Sequence, residues 1–174
     1  MATATDSFGG SGALTTGWTI DRAGLSQASG VLVSTSTYGL AKRSDISPGP
    51  EQYVQGKWVN SSAAIFNGKQ FLMLRYQDTD NHVYVDFDDG RHAIDVYFRI
   101  GGANGSIIYS IANATDFLAG DTIKVTISSA HLITIYLNGT SIGSYDASAT
   151  ISTLTTGSVG IGMSGATTDQ GAWD

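Results

Sequence analysis

Polar and apolar residues alternate along several short segments of this chain, most regularly between residues 71 and 100. Val83, Val85 and Phe87 recur at every second position, with polar or aromatic residues between them. Because successive side chains of a strand point to opposite faces, this period predicts a strand with one buried face. The turn-forming segment 78–81 separates it from another apolar run, so the two runs together predict a β-hairpin.

Short strands are predicted along the whole chain, because no helical periodicity extends beyond two turns. In the segment 92–100, Asp95, Tyr97 and Arg99 alternate with apolar residues that would point inward. Asn138-Gly139 lies between two alternating runs and is a strong signal for a two-residue hairpin turn. The predicted strands cover residues 18–20, 25–27, 30–33, 38–42, 51–59, 71–77, 82–88, 92–100, 106–111, 121–127, 133–137, 140–145 and 159–163.

This arrangement of strands and turns predicts an all-β fold, an antiparallel sandwich or barrel. The chain has 174 residues with no linker or internal repeat, so we expect residues 1–174 to form a single domain. The start of that domain differs in composition from the remainder. Residues 1–12 are predicted to form an extended N-terminal arm that could dock on another protein.

The composition excludes several classes of function. The chain contains 9 Lys and Arg against 15 Asp and Glu, for a net charge of −6. An acidic chain without a basic stripe repels a phosphate backbone, so nucleic acid is not expected as a partner. No apolar run approaches the ~20 residues of a membrane-spanning helix, so no membrane insertion is expected. Cysteine is absent, which rules out disulfides and thiolate metal sites.

Several segments, taken in order, resemble the concanavalin A-like lectin/glucanase superfamily, specifically its laminin-G-like jelly-roll branch. They are residues 74–84, 120–125, 135–140 and 157–162, with residues 5–8 and Trp18 similar to the opening strand of that branch. Trp173-Asp174 resembles the beginning of its closing strand, which in this branch normally continues further. The resemblance covers nearly the whole chain and implies a two-sheet β-sandwich of jelly-roll type.

The resemblance also implies that the outward face of one sheet contacts glycans. From the alternation, the candidate ligand-binding residues are Trp58, Arg75, Tyr84, Asp86, Tyr97 and Arg99. Aromatic rings can stack on the apolar faces of sugars, while Asp and Arg side chains hydrogen-bond hydroxyl groups. The alternative is that these side chains only stabilise the sheet as cross-strand pairs.

A structural calcium ion is the one cofactor that the resemblance suggests, and none is required for the predicted function. Many members of the superfamily carry calcium near their termini, held by acidic side chains and carbonyl groups. The matching candidates here are Asp6 and Asp174. The alternative is that both carboxylates are merely solvated.

Catalysis is not expected. Glucanases that share this fold use two glutamates on one strand, whereas this chain contains a single glutamate, Glu51. Asp86 and Asp88 lie two residues apart on one strand face, near the ~5–5.5 Å carboxyl separation of retaining glycosidases. A solvated polar face is the favoured interpretation of this pair. None of the histidines lies in a catalytic motif, and His131, in a hairpin turn, is expected to be exposed to solvent.

The predicted function is therefore a non-catalytic surface module that binds glycans or other virion or surface proteins. A cysteine-free, acidic chain rich in Ser, Thr and Gly that starts at Met without a signal-peptide pattern suits a bacteriophage virion protein. Capsid decoration and a tail-fibre or receptor-binding component are the roles expected at the virion surface. The alternatives are a glycoside hydrolase or lyase using Asp86 and Asp88, or an extracellular carbohydrate-binding module of a larger enzyme. The Ala/Gly/Thr-rich surface is compatible with a monomer or a homo-oligomer.

Overall fold

Short strands make up nearly all of the regular structure in the described part of the chain. The computed structural model describes residues 8, 12–14, 16–28, 31–34, 38–47, 49–58, 69–88, 93–112 and 117–164. The strands in these ranges are β1 (Gly12–Ala13), β2 (Trp18–Arg22), β3 (Leu25–Ala28), β4 (Val31–Ser34), β5 (Tyr38–Arg43), β6 (Gln52–Lys57), β7 (Lys69–Asp78), β8 (Asn81–Asp88), β9 (Ala93–Ile100), β10 (Ala103–Ile111), β11 (Thr122–Ile127), β12 (Leu132–Leu137), β13 (Thr140–Asp146) and β14 (Ser158–Ser164). A single helical turn, α1 (Ser148–Ile151), connects β13 to β14.

The described strands form three antiparallel sheets. The largest has seven strands in the order β10-β9-β8-β7-β14-β5-β2, and the second has four in the order β13-β12-β11-β6. A small third sheet has the order β1-β3-β4. In the seven-stranded sheet, β14 lies between β7 and β5. Residues 158–164 therefore pair with residues 38–43 beside the hairpin formed by β7 and β8. The architecture is the antiparallel β-sandwich that the sequence predicts.

The core lies between the seven-stranded and four-stranded sheets. Val83, Val85 and Phe87 of β8 are all 0% exposed, as the alternation predicts. Across the core, β11 contributes Ile123 and Val125 to the same hydrophobic cluster. Burying an aliphatic or aromatic side chain of this size stabilises the fold by roughly 1.5–3 kcal/mol. Since alternate residues of β8 and β9 are committed to this core, the residues between them must point to the other face of the sheet.

Two glycine-containing turns set the register of the hairpins. Asn138 and Gly139 have φ angles of 50° and 81°, which confirms the predicted turn between β12 and β13. Gly101 and Gly102 adopt φ angles of 61° and 79° and form a second turn of this kind. As a result β10 begins at Ala103, three residues before the start of the strand predicted over 106–111.

Helical structure in the described part of the chain is limited to α1. Its Ile151 is fully buried, and Leu154 beyond it donates a 2.9 Å backbone hydrogen bond to the Ile151 carbonyl. Among the residues that the structure describes, no helix has the length and apolar character needed to cross a membrane.

Candidate functional site

A cleft of about 470 Å³ lies on the face of the seven-stranded sheet that points away from the core. This volume falls in the ~300–1,000 Å³ range that is typical of small-molecule sites. Every strand of the sheet contributes to its walls. The lining residues are Arg22 of β2, Tyr38 of β5, Lys69 and Phe71 of β7, Tyr84 and Asp86 of β8, Tyr97 and Arg99 of β9, Gly105 of β10 and Ser164 of β14.

The floor of the cleft is a row of aromatic rings contributed by four strands, β5, β7, β8 and β9, and the row passes over β14. Tyr84 and Tyr97 are direct cross-strand partners, and their rings stack with centroids 4.9 Å apart and an interplanar angle of 7°. Phe71 meets Tyr84 edge-on at 5.5 Å, and Tyr38 lies 5.8 Å from Phe71. This row offers a hydrophobic surface with polar edges, because each tyrosine carries a hydroxyl group.

The aromatic floor depends on a glycine in the adjacent strand. Gly162 of β14 pairs with Phe71 on one side and with Leu40 on the other. A Cβ atom at Gly162 would lie 2.5 Å from Leu40 Cδ2 and 2.9 Å from Phe71 Cδ2. Both separations are far below van der Waals contact, so only glycine lets these two side chains close over β14.

A buried carboxylate lies beside the aromatic row. Asp86 is 1% exposed, and Lys69 Nζ donates a 2.6 Å hydrogen bond to its Oδ2. Its other oxygen, Oδ1, is buried and has no hydrogen-bond partner among the described residues. Burial, together with the charges of Asp88 and Asp95, raises the pKa of Asp86 to about 6 against the opposing effect of Lys69. The cleft wall therefore contains a buried acceptor that no described residue supplies with a hydrogen bond.

The burial of this carboxyl group corrects one interpretation of the sequence. Asp86 and Asp88 were expected to form a solvated polar face, but Asp88 is also buried and lies 3.9 Å from Lys69 Nζ. On the neighbouring strand β9, the residue directly opposite Asp86 is Asp95. Its carboxylate accepts a 2.6 Å hydrogen bond from Ser110 Oγ. Neighbouring side chains cover these carboxyl groups because the sheet face forms a cleft.

Three cationic side chains surround the aromatic row and Asp86. The Arg22 guanidinium lies over the Tyr38 ring, 4.8 Å from its centroid. Arg99 forms a 3.2 Å ion pair with Asp80 in the β7–β8 turn. That turn is itself held in place, since Gly101 N donates a 3.0 Å hydrogen bond to Asn81 Oδ1. Lys69 completes the set through its contact with Asp86.

Four of the six candidate ligand-binding residues predicted from the sequence line this cleft together. They are Tyr84, Asp86, Tyr97 and Arg99. The period of two placed them on one face because β8 and β9 are regular strands, paired residue by residue from His82–Arg99 to Asp88–Ala93.

Trp58 does not lie in the cleft. It is 1% exposed and its ring packs 5.0 Å from Phe117 in the hydrophobic core. The alternation did contain this information, because Trp58 is in phase with buried Val54 on the same extended segment. Its inclusion among the ligand-binding candidates is therefore corrected to a core position.

Arg75 is also displaced from the predicted site. It is 0% exposed, adopts a φ of 49°, and lies where the register of β7 and β8 shifts. Its guanidinium donates hydrogen bonds to three backbone carbonyls, those of Leu154 (2.6 Å), Ser128 (2.8 Å) and Pro50 (3.0 Å). Arg75 therefore joins three loops and is not positioned to contact a ligand in the cleft.

The two described histidines, His82 and His131, pack against or hydrogen-bond other parts of the fold. His131, expected to be exposed, is half-buried, and its Nδ1 lies 2.5 Å from Arg75 Nη1. Because a guanidinium can only donate, His131 Nδ1 must accept, which requires a neutral ring. Burial and the charge of Arg75 accordingly lower the pKa of His131. His82 is buried and stacks on Tyr76 at 5.0 Å, while His92 lies outside the described residues.

Sequence reasoning missed several residues that line the cleft. Phe71 was not assigned to a face, because both faces of β7 carry apolar side chains and the alternation gives no direction there. Lys69, Arg22 and Ser164 lie at or just beyond the ends of the predicted strands. Tyr38 begins β5, which only the sheet order brings near the hairpin.

The metal prediction remains untested. Asp6 and Asp174 both lie outside the described residues. Within the ranges that are described, no group of three or more His, Cys, Asp or Glu side chains is arranged to hold a metal ion.

Comparison with known proteins identifies the fold. No family model matches the chain, and no curated protein matches it. The carbohydrate binding module CBM66 from Bacillus subtilis superposes with a TM-score of 0.70 at 17% identity, covering 91% of each chain. The exoplasmic/lumenal domain of VIP36, in a Ca²⁺/Man3GlcNAc-bound form, gives a TM-score of 0.62 at 11% identity over 90% of this chain and 80% of that chain. Bacillus licheniformis β-glucanase gives 0.58 at 12% identity over 92% and 91% of the respective chains.

These likenesses show that the chain has the concanavalin A-like jelly-roll fold that the sequence motifs indicated. At such low identity they establish the architecture alone. The three similar structures include a carbohydrate binding module, a domain with a bound glycan and a glucanase. The function must therefore be argued from the cleft itself.

Proposed function

We propose that this protein is a non-catalytic glycan-binding module whose binding site is the cleft of the seven-stranded sheet. One observation carries the proposal. The stacked pair Tyr84 and Tyr97 adjoins the buried, unpartnered Oδ1 of Asp86 within a single cleft. An aromatic platform next to a fixed hydrogen-bond acceptor matches the two surfaces of a sugar, whose ring carries apolar C–H faces and an edge of hydroxyl groups.

The energetics of the cleft favour a ligand role over a purely structural one. Cross-strand aromatic pairs stabilise sheets by roughly 0.2–1 kcal/mol, which accounts for the Tyr84–Tyr97 stack by itself. It does not account for Asp86, because a buried carboxylate oxygen without a hydrogen bond destabilises the fold. Unfavourable burial of this kind is concentrated at functional sites, where a ligand supplies the missing partner. Two of the structures with this fold are named for carbohydrate binding or a bound glycan, which is consistent with the proposal.

We expect no turnover, because the available carboxyl groups are poorly arranged for acid–base chemistry. Glu51 hydrogen-bonds Ser129 at 3.4 Å, and it does not line the cleft. Asp86 and Asp88 share Lys69 as a cationic neighbour, and this shared charge opposes the separate acid and base roles of a retaining hydrolase.

A glycoside hydrolase is the second candidate, and one observation favours it. Asp86 faces Asp95 across the strand pair and has a pKa raised to about 6, which suits a general acid. Release of reducing sugar from β-glucans or alginate, abolished by both Asp86→Asn and Asp95→Asn, would establish this alternative. The module hypothesis predicts no release from any of these polysaccharides.

We further propose that the module acts at a virion surface, as a capsid decoration or a tail-fibre component of a bacteriophage. The support is compositional: the chain is acidic, lacks cysteine and is rich in Ser, Thr and Gly. Residues 1–12 are the proposed docking arm. Purified particles should contain the protein by mass spectrometry, and deleting residues 1–12 should remove it from them. Unchanged incorporation of the truncated chain would reject the docking role.

Binding to a glycan array tests the primary proposal. Tyr97→Ala and Asp86→Asn should each lower affinity for any glycan bound by the wild type at least tenfold. Tyr136→Ala provides a matched control, since this half-buried tyrosine lies under Lys124 on the four-stranded sheet. Equal loss in all three variants, or in none, would contradict a site in the cleft.

A further inference from the structure

Among the residues that line the cleft itself, the charge balance is the reverse of that of the whole chain, and Asp80 and Asp88 beside the cleft pair with two of its three cations. The chain as a whole carries a net charge of −6, with only 9 Lys and Arg residues. Three of those cations, Arg22, Lys69 and Arg99, line the cleft, and Asp86 is the one carboxylate among the lining residues. Since a neutral sugar gains nothing from net charge, this local reversal calls for a separate explanation.

The two arginines retain unused capacity to bind an anion. Arg22 makes no ion pair with any residue that the structure describes, and its recorded contact is the Tyr38 ring. Arg99 is paired through Nη2 to Asp80, whose side chain is 54% exposed, and Arg99 Nε has no hydrogen-bond partner among the described residues. An ion pair of this exposure stabilises by only about 0–1 kcal/mol, so an incoming anion can compete with it. Lys69, by contrast, is engaged by Asp86 and Asp88.

Both guanidinium groups border the same cleft. Burial raises the pKa of the Tyr38 phenol, and the charges of Arg22 and Arg99 each oppose that rise, while Asp86 adds to it. The two cations and the carboxylate therefore lie within electrostatic range of one hydroxyl group in the cleft that they line. Two guanidinium groups in one partly enclosed cleft repel each other, and an anion between them would relieve that repulsion.

We infer that the cleft selects a sugar unit that carries an anionic substituent, a carboxylate or a sulfate. Arg22 and Arg99 hold the anionic group, a sugar hydroxyl donates to Asp86 Oδ1, and the ring lies on the Tyr84–Tyr97 pair. Guanidinium suits this role because its planar array of donors matches the oxygens of such groups. This inference rests on the proposed glycan-binding function and adds the class of glycan to it.

Matched terminal sugars on a common linker test the selectivity. The probes are galacturonic acid, galactose 6-sulfate and galactose, with glucuronic acid and glucose as a second series. We expect at least tenfold tighter binding of an acidic member than of its neutral parent. That preference should weaken when the ionic strength rises from ~0.05 to ~0.5 M, because salt screens exposed charges. Comparing galacturonic acid with galactose 6-sulfate shows whether the cleft prefers a carboxylate or a sulfate.

Variants that remove one positive charge test the preference for acidic sugars separately from glycan binding itself. Arg22→Gln and Arg99→Gln should each abolish the preference for the acidic sugar, Arg22→Lys should retain part of it, and Lys124→Gln on the other sheet should leave it unchanged. Neutral sugars bound as tightly as acidic ones would overturn the inference and leave glycan binding intact. Failure of every probe to bind would overturn both. Melting temperatures measured on each variant without ligand confirm that the comparison is between folded proteins.

Discussion

Asp86 and Asp95 lie directly opposite each other on β8 and β9, on the cleft face of the sheet, and each is 1% exposed. Like charges at facing positions destabilise a strand pair, and burial increases the penalty. Lys69 and Ser110 offset part of it through hydrogen bonds to Asp86 and Asp95 respectively. The arrangement is unfavourable for folding alone, which is the pattern expected of a site kept for binding.

Asp86→Asn should therefore stabilise the protein above pH 6 while weakening ligand binding. The folded-state pKa of Asp86 is raised from its usual value to about 6, so the folded protein binds the proton more tightly than the unfolded chain. The associated stability is fully present below the unfolded pKa and is lost as pH rises through about 6. The upper limit of the gain in the variant at pH 8 is about 3 kcal/mol, from ~1.36 kcal/mol per pKa unit. Thermal melts at pH 4, 6 and 8 should show the difference growing with pH.

Asp78→Ala is a control for which we expect the opposite change in stability. Asp78 Oδ1 accepts hydrogen bonds from Asp80 N and Asn81 Nδ2, and these bonds lower the pKa of the Asp78 carboxyl. Its stabilising effect is present above the unfolded pKa and is lost as pH falls through the lower folded value. The alanine variant should thus melt below the wild type at pH 7, with the gap closing at acidic pH. The same direction of change in both variants would contradict the assignment of Asp86.

Replacing Arg75 should destabilise the fold more than replacing any cation in the cleft. Arg75→Met removes three hydrogen bonds to carbonyls of separate loops, and of these the Ser128 carbonyl keeps a 3.0 Å bond from His131 N. A buried carbonyl that loses its hydrogen bond costs about 1–3 kcal/mol, so we expect a loss of at least that size. Urea denaturation measures the change, with Arg22→Gln as the exposed comparison expected to stay within about 0.5 kcal/mol. A similar small effect for Arg75→Met would show that the loops hold together without it.

His131 should make the protein less stable in mild acid. Its folded pKa is lowered by burial and by Arg75, so it stays neutral in the folded state where the unfolded chain already takes up a proton. Stability falls as pH drops below the unfolded value of ~6.5. His131→Gln should reduce this decline between pH 7.5 and 5.5 in chemical denaturation. A steeper decline in the variant would mean that His131 is protonated in the folded protein.

Gly162→Ala should disturb both stability and binding. The added methyl group would overlap Leu40 and Phe71, and overpacking of this kind costs typically about 1–3 kcal/mol. Phe71 must move to relieve the overlap, which alters the aromatic floor and should lower glycan affinity. Gly49→Ala is the matched control, because nothing lies within 4 Å of a Cβ there. Melting temperature and affinity measured on both variants check this prediction.

The sequence predicted the sandwich because apolar residues recur at every second position in several strands, and burial follows that period strictly in β6 and β11. β11, for example, buries Ile123, Val125 and Ile127 and leaves the residues between them half-buried. The same regularity in β8 and β9 correctly grouped Tyr84, Asp86, Tyr97 and Arg99 on one face. Where strands are regular and have one apolar face, position along the chain is enough to assign a side chain.

The rest of the cleft could not be predicted because it depends on non-local pairing and local irregularity. Arg22, Tyr38 and Ser164 reach the cleft only through the order β14-β5-β2, which no local pattern encodes. Arg75 left its predicted face because a left-handed backbone conformation interrupts the alternation of β7. The burial of Asp86 depends on neighbours from other strands, so sequence spacing alone suggested a solvated face.

The most direct test of the cleft as a glycan-binding site is an NMR titration of isotope-labelled protein with a glycan that binds on the array. The account predicts that amide and side-chain shifts change in a continuous patch over β5, β7, β8 and β9, centred on Tyr84 and Tyr97, and that Asp86→Asn removes them. Shifts centred on the outer face of the four-stranded sheet, around Tyr53 and Lys124, would contradict it.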